Sequence, residues 1–99
     1  MSALARAVLL AFADLGIYLP SHRERLIAKI RGLDPLDPAE LEEFLDLCIA
    51  ADLVAPAEAG RLRLHPDEAK RLAHSLDGHT PVPDEQAVAW ERALQSPSS

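Results

Sequence analysis

The sequence predicts a mainly α-helical domain, with three helices, a short β-hairpin and one or two C-terminal helices. Apolar residues recur at helical spacing in five stretches, several of them opened by capping residues. Strict alternation occurs only once, at Arg61-Leu62-Arg63-Leu64. The chain is 99 residues long, with 48% apolar and 26% charged residues. That suits one soluble core and leaves little room for an enclosed catalytic cavity.

The first helix is expected over Ala3 to Leu15, with Leu4, Val8, Ala11, Phe12 and Leu15 in register and Gly16 as its stop. Leu9, Leu10, Ala7 and Ala13 make it apolar almost all round, so it needs cover on more than one side. The second helix is expected over His22 to Arg31. Ser21 and Glu24 have capping-box spacing, and Gly32 is the expected stop. The third, from Pro38 to Ala51, has the strongest start signal: Asp37 as N-cap, Pro38 at the first helical position, and Glu40 to complete the box. Leu36 and Leu41 occupy staple positions, and Leu41, Phe44, Leu45 and Cys48 share the inward face.

Leu53-Val54-Ala55 and Arg61–Leu64 are expected to pair as a two-stranded hairpin across Pro56–Gly60, leaning on the helices. A fourth helix, Pro66 to Leu76, carries Ala69, Leu72, Ala73 and Leu76, with Gly78 as its stop. Thr80-Pro81-Val82-Pro83 reads as a stiff linker, followed by a helix from Asp84 to Leu94 and a disordered tail at Ser96–Ser99. The expected organisation is thus a domain over 1–79, a linker over 80–83, a C-terminal helix over 84–95 and a tail over 96–99.

Helix, helix, helix, hairpin, helix is the order of a winged helix. Ala51-Asp52-Leu53-Val54 looks like a recognition helix running into the first wing strand, where family members often have Gly-Leu-Val. Gly60-Arg61-Leu62-Arg63-Leu64-His65-Pro66-Asp67-Glu68 is similar to the second wing strand and next helix of the multiple-antibiotic-resistance-type repressors. Leu15-Gly16-Ile17 and Gly32-Leu33-Asp34-Pro35 resemble the dimerisation domain that opens many small-molecule O-methyltransferases. The resemblance covers about residues 3 to 76. It implies a DNA-reading or dimerising module. The third helix departs from the DNA-reading pattern, because Glu42, Glu43 and Asp46 stand where groove-reading helices offer basic or amide side chains.

The net charge is −6, which is unlike a nucleic-acid binder, but its distribution is uneven. Residues 21–32 carry +3, from Arg23, Arg25, Lys29 and Arg31 against Glu24. Residues 33–60 carry eight acids and no base, and residues 61–74 carry +2. Like charges crowded on one face repel one another, and a basic partner would relieve that. His22, Arg25 and Lys29 share a face of the second helix, and Arg61 and Arg63 share a side of the wing. Such a map favours oriented protein docking.

No phosphate-binding glycine loop, nucleophile elbow or zinc-protease motif is present, and no cofactor, metal site or enzymatic activity is expected. Glu42 and Glu43 diverge on a helix and make no catalytic pair. His74 and His79 do not share a helix face. His65 is expected to serve at the start of the fourth helix. Cys48, the single cysteine, excludes an internal disulfide and reads as a buried thiol. The apolar start carries Arg6 and Asp14 and is shorter than the ~20 residues needed to cross a bilayer, so a cytoplasmic setting without membrane contact is expected.

The expected function is therefore a non-enzymatic winged-helix module for protein–protein interaction, docking through Glu42, Glu43 and Asp46. A homodimer is expected through Leu9, Leu10, Trp90 and Leu94, with Trp90 either an anchor across that seam or a lid on its own core. The alternative is a DNA-binding transcriptional regulator, with Arg23, Arg25, Lys29, Arg61 and Arg63 as its nucleic-acid contacts.

Overall fold

A computed structural model describes residues 2–33, 35–77 and 84–95. The expected stop at Gly78, His79, the Thr80–Pro83 linker and the Ser96–Ser99 tail lie outside the described residues. The elements in chain order are α1 (Ser2–Leu15), β1 (Ser21–His22), α2 (Arg23–Leu33), α3 (Pro38–Ala50), β2 (Val54–Pro56), β3 (Arg61–Leu64), α4 (Pro66–Asp77) and α5 (Asp84–Gln95). A single 3-10 turn, Glu58–Gly60, joins β2 to β3. The architecture is mainly helical with one small antiparallel sheet.

α1 is the central helix. Val8, Leu9, Ala11 and Phe12 have no exposed surface, and Ala5 and Ala7 are buried on its flanks. α2 and α5 pack on it from within the same chain. The requirement for cover on several sides is thus met intramolecularly, and Ala87 and Trp90 of α5 belong to the same core as Phe12 and Leu72.

The sheet has the order β1-β3-β2, so β3 lies in the centre. The Arg61–Leu64 alternation puts Leu62 and Leu64 inward and Arg61 and Arg63 outward. Val54 pairs with Leu64 and Pro56 with Leu62, which closes the expected hairpin. β1 is an addition to that expectation: Ser21 pairs with Leu62 and His22 with Arg61. Ser21 is therefore a buried strand residue and not the cap of a helix starting at His22. Pairing with β3 satisfies backbone groups that a capping box would have served only in part. Gly32 is likewise no stop, since α2 continues through it to Leu33.

α3 begins at the expected Asp37 cap and Pro38, but among the described residues no bond from Asp37 N–H to the Glu40 carboxylate completes the box. The Asp37 carboxylate accepts from the Ala39 N–H at 3.1 Å, and Leu36 packs against the core to which the fully buried Leu41 belongs. It ends in a double reversal, with the Leu53 N–H donating to Cys48 O at 2.9 Å and the Asp52 N–H to Ile49 O at 3.1 Å. Asp52 takes a left-handed conformation, φ 61°, to make the turn. Short acidic and amide side chains tolerate that region better than others. The reversal sends the chain straight from α3 into β2.

α4 opens on His65, whose Nδ1 accepts from the Asp67 N–H at 3.3 Å, the role expected of it. One turn later Glu68 is buried, and it ties α4 to α5. Its Oε1 accepts from Trp90 Nε1 at 2.7 Å and from Gln86 Nε2 at 3.2 Å. Its Oε2 accepts from Arg71 at 3.4 Å, and its backbone carbonyl takes a second bond from Gln86 at 3.1 Å. Among the described residues, no helix is long and apolar enough to cross a membrane.

Candidate functional site

Two polar surfaces flank α2, and each receives one of its arginines. On one side lies the outer face of α3. Glu42, Glu43 and Asp46 are all exposed there, and Leu47 stands among them with 45% of its surface open. Arg23, in the first turn of α2, reaches across to this face, 2.7 Å from Asp46 and 3.8 Å from Glu42. The pairs are solvent-exposed, so each contributes between zero and about 1 kcal/mol. Their stronger effect is on order: Arg23 engages two of the three carboxylates and, among the described residues, leaves Glu43 unpaired one turn from Leu47.

On the other side is a groove of about 410 Å³ formed where α1, β1, α2 and β3 meet. His22, Arg25 and Arg61 line it, with Leu15, Leu19 and Pro20 as its apolar wall. The sheet register explains the meeting, because His22 and Arg61 are directly opposite each other across β1 and β3. Asp14 also lines the groove, but its carboxylate is held by Lys29. Arg63 follows Arg61 on the same outward side of β3.

The residues expected to contact DNA are thus divided. Arg23 is turned to α3 and Lys29 to Asp14, whereas Arg25, Arg61 and Arg63 have no carboxylate partner among the described residues. Arg31 donates from Nε to Leu36 O at 3.1 Å and steadies the turn between α2 and α3.

The expected dimer seam is also divided. Leu9 and Trp90 are wholly buried inside the chain and offer no surface to a second copy. Trp90 is the lid on its own core, because its indole N–H finds Glu68 as an internal acceptor. Leu10 and Leu94 are half-buried against the same core. Sequence reasoning missed Glu68, Gln86 and Leu47. The signal for the first was available: a tryptophan entering a core requires an acceptor for its N–H.

Cys48 is fully buried, and burial pushes its thiol up to about 12. At neutral pH it is a packed, protonated side chain with no nucleophilic role. Comparison with protein-family models, with curated proteins and with solved structures found no match.

Proposed function

We propose that this chain is a non-enzymatic winged-helix module of the cytoplasm that docks onto a protein partner through the outer face of α3. The element order and the central position of β3 between β1 and β2 support the winged-helix reading. The observation that carries the docking reading is Leu47 exposed within an acidic frame, two of whose carboxylates are already oriented by Arg23. An exposed apolar side chain bordered by charged groups is a feature of protein interfaces. Fixed carboxylates lose less side-chain freedom when a basic partner arrives.

The test is the double variant E43K/L47D, which leaves the Arg23 pairs untouched. Both side chains are exposed, so the variant is expected to fold with an unchanged Tm and to lose its partner complex. Retention of the complex at wild-type strength would contradict the proposal. Self-association would use a separate surface, with Leu10 of α1 and Leu94 of α5 as its available apolar side chains. Sedimentation showing a strict monomer at high micromolar concentration excludes it.

A second reading, DNA-binding transcriptional regulation, is favoured by one observation: among the described residues, Arg25, Arg61 and Arg63 lack acidic partners. It requires duplex binding whose log affinity falls with log salt at about −0.9 per phosphate contacted. Absence of a mobility shift at about 50 mM salt rejects it.

A further inference from the structure

The groove beside α2 has a chemistry of its own, independent of the α3 surface. Acids outnumber bases 16 to 10 in this chain, so a typical surface arginine has many carboxylates within reach. Arg25 and Arg61 nevertheless line one groove with no acidic partner among the described residues. The one carboxylate on its wall, Asp14, is engaged by Lys29. His22 sits directly across the strand pair from Arg61 and adds its imidazole to the same groove wall. Among the described residues, an arrangement that concentrates donors and engages the groove's own carboxylate elsewhere lacks an internal structural reason. It is what an anion would complete.

We propose that this groove binds a small phosphate-bearing ligand, a phosphomonoester attached to an apolar or planar body. The phosphate sits between the guanidinium groups of Arg25 and Arg61, within reach of the His22 imidazole. Arginine is suited to this task because its planar fork donates two parallel hydrogen bonds to phosphate oxygens. The remainder of the ligand lies against Leu15, Leu19 and Pro20. Leu19 is 61% exposed, a large open apolar surface for a residue beside two guanidinium groups.

Size and field both favour a small ligand over a polyanion. The groove volume of about 410 Å³ falls in the range of small-molecule pockets. A nucleic-acid backbone would extend beyond the groove into the field of a chain with net charge −6, whose acids crowd residues 33–60. A single phosphate is screened from that field over roughly one Debye length, about 8 Å at physiological salt.

The experiment uses the full-length chain labelled with ¹⁵N and follows the arginine Nε–Hε resonances. The probes are adenosine 5′-monophosphate, unphosphorylated adenosine and a short DNA duplex. Adenosine monophosphate is expected to shift Arg25 and Arg61 saturably, while adenosine leaves them in place. The variant R25Q/R61Q should weaken binding about tenfold or more, and K70Q, on α4, should not change it. Both arginines are exposed, so the double variant is expected to fold with an unchanged Tm. Shifts that fail to saturate, or that appear equally at Arg63, would overturn the proposal. Saturation by the duplex alone would overturn it too, in favour of a nucleic-acid surface.

Discussion

Glu68 and Asp46 each hold one strong hydrogen bond of 2.7 Å, the first from the Trp90 indole and the second from the Arg23 guanidinium. The two clusters differ in solvent. The Glu68 side chain is 10% exposed, whereas those of Asp46 and Glu42 are 64% and 53% exposed. In the first cluster a lost partner leaves a buried donor facing nothing; in the second, water replaces it. Equal distances therefore carry unequal consequences. One cluster fastens α5 to the domain, and the other only orients a surface.

The largest effect is expected at the fastened end. W90A empties the biggest side chain in the core and should cost about 3–5 kcal/mol by urea unfolding, a large part of the 5–15 kcal/mol typical of a domain. E68A keeps the ring but strands the buried Trp90 N–H, while Gln86 retains its bond to the Glu68 carbonyl, at a cost on the order of 2 kcal/mol. E68Q separates the two oxygens. Trp90 and Gln86 both use Oε1, which an amide oxygen can replace, and only the more exposed Arg71 uses Oε2. E68Q should therefore cost less than about 1 kcal/mol. An E68Q as damaging as E68A would show that the charge, and not the acceptor, holds α5.

Cys48 extends the contrast between buried and exposed groups to pH. Its folded-state pKa, about 12, lies above the ordinary value of 9.0. The thiol's contribution to stability is fully present below pH 9 and declines as pH rises through the folded value, because only the unfolded chain releases the proton in between. Denaturation followed between about pH 9 and 12 should show this decline, and C48A should flatten it. At the solvated end, D46N should shift stability by less than about 1 kcal/mol. A larger loss would mean that the α3 acids serve the fold.

How far the sequence reveals these two clusters depends on what decides each local choice. Asp37-Pro38 announces α3 because capping is local, and the Arg61–Leu64 alternation announces β3 because burial repeats along the strand. β1 is hidden because two residues cannot display a period, and Ser21 with Glu24 has the spacing of a cap. Only the outward partner, Arg61, and the inward partner, Leu62, make Ser21–His22 a strand. The apolar excess of α1 is plain in the sequence; that α5 supplies its cover is a tertiary fact. Glu68 looks like any first-turn acid complementing a helix N-terminus. Its burial follows from the indole laid over it. On the functional side, the acidic face of α3 and the basic residues of α2 and β3 are legible from charge counting. Their division into engaged and unpartnered groups depends on which way α2 turns Arg23 and Arg25.

The docking face is tested most directly by a photo-crosslinking residue placed at Leu47, with the same residue at Lys70 of α4 as a control, in living cells. A discrete crosslinked species is expected from position 47 and none from position 70. A product of twice the chain's mass would identify a second copy as the partner; any other mass would identify a different protein. No product at position 47, or the same products at both positions, would contradict the assignment of α3 as the docking surface.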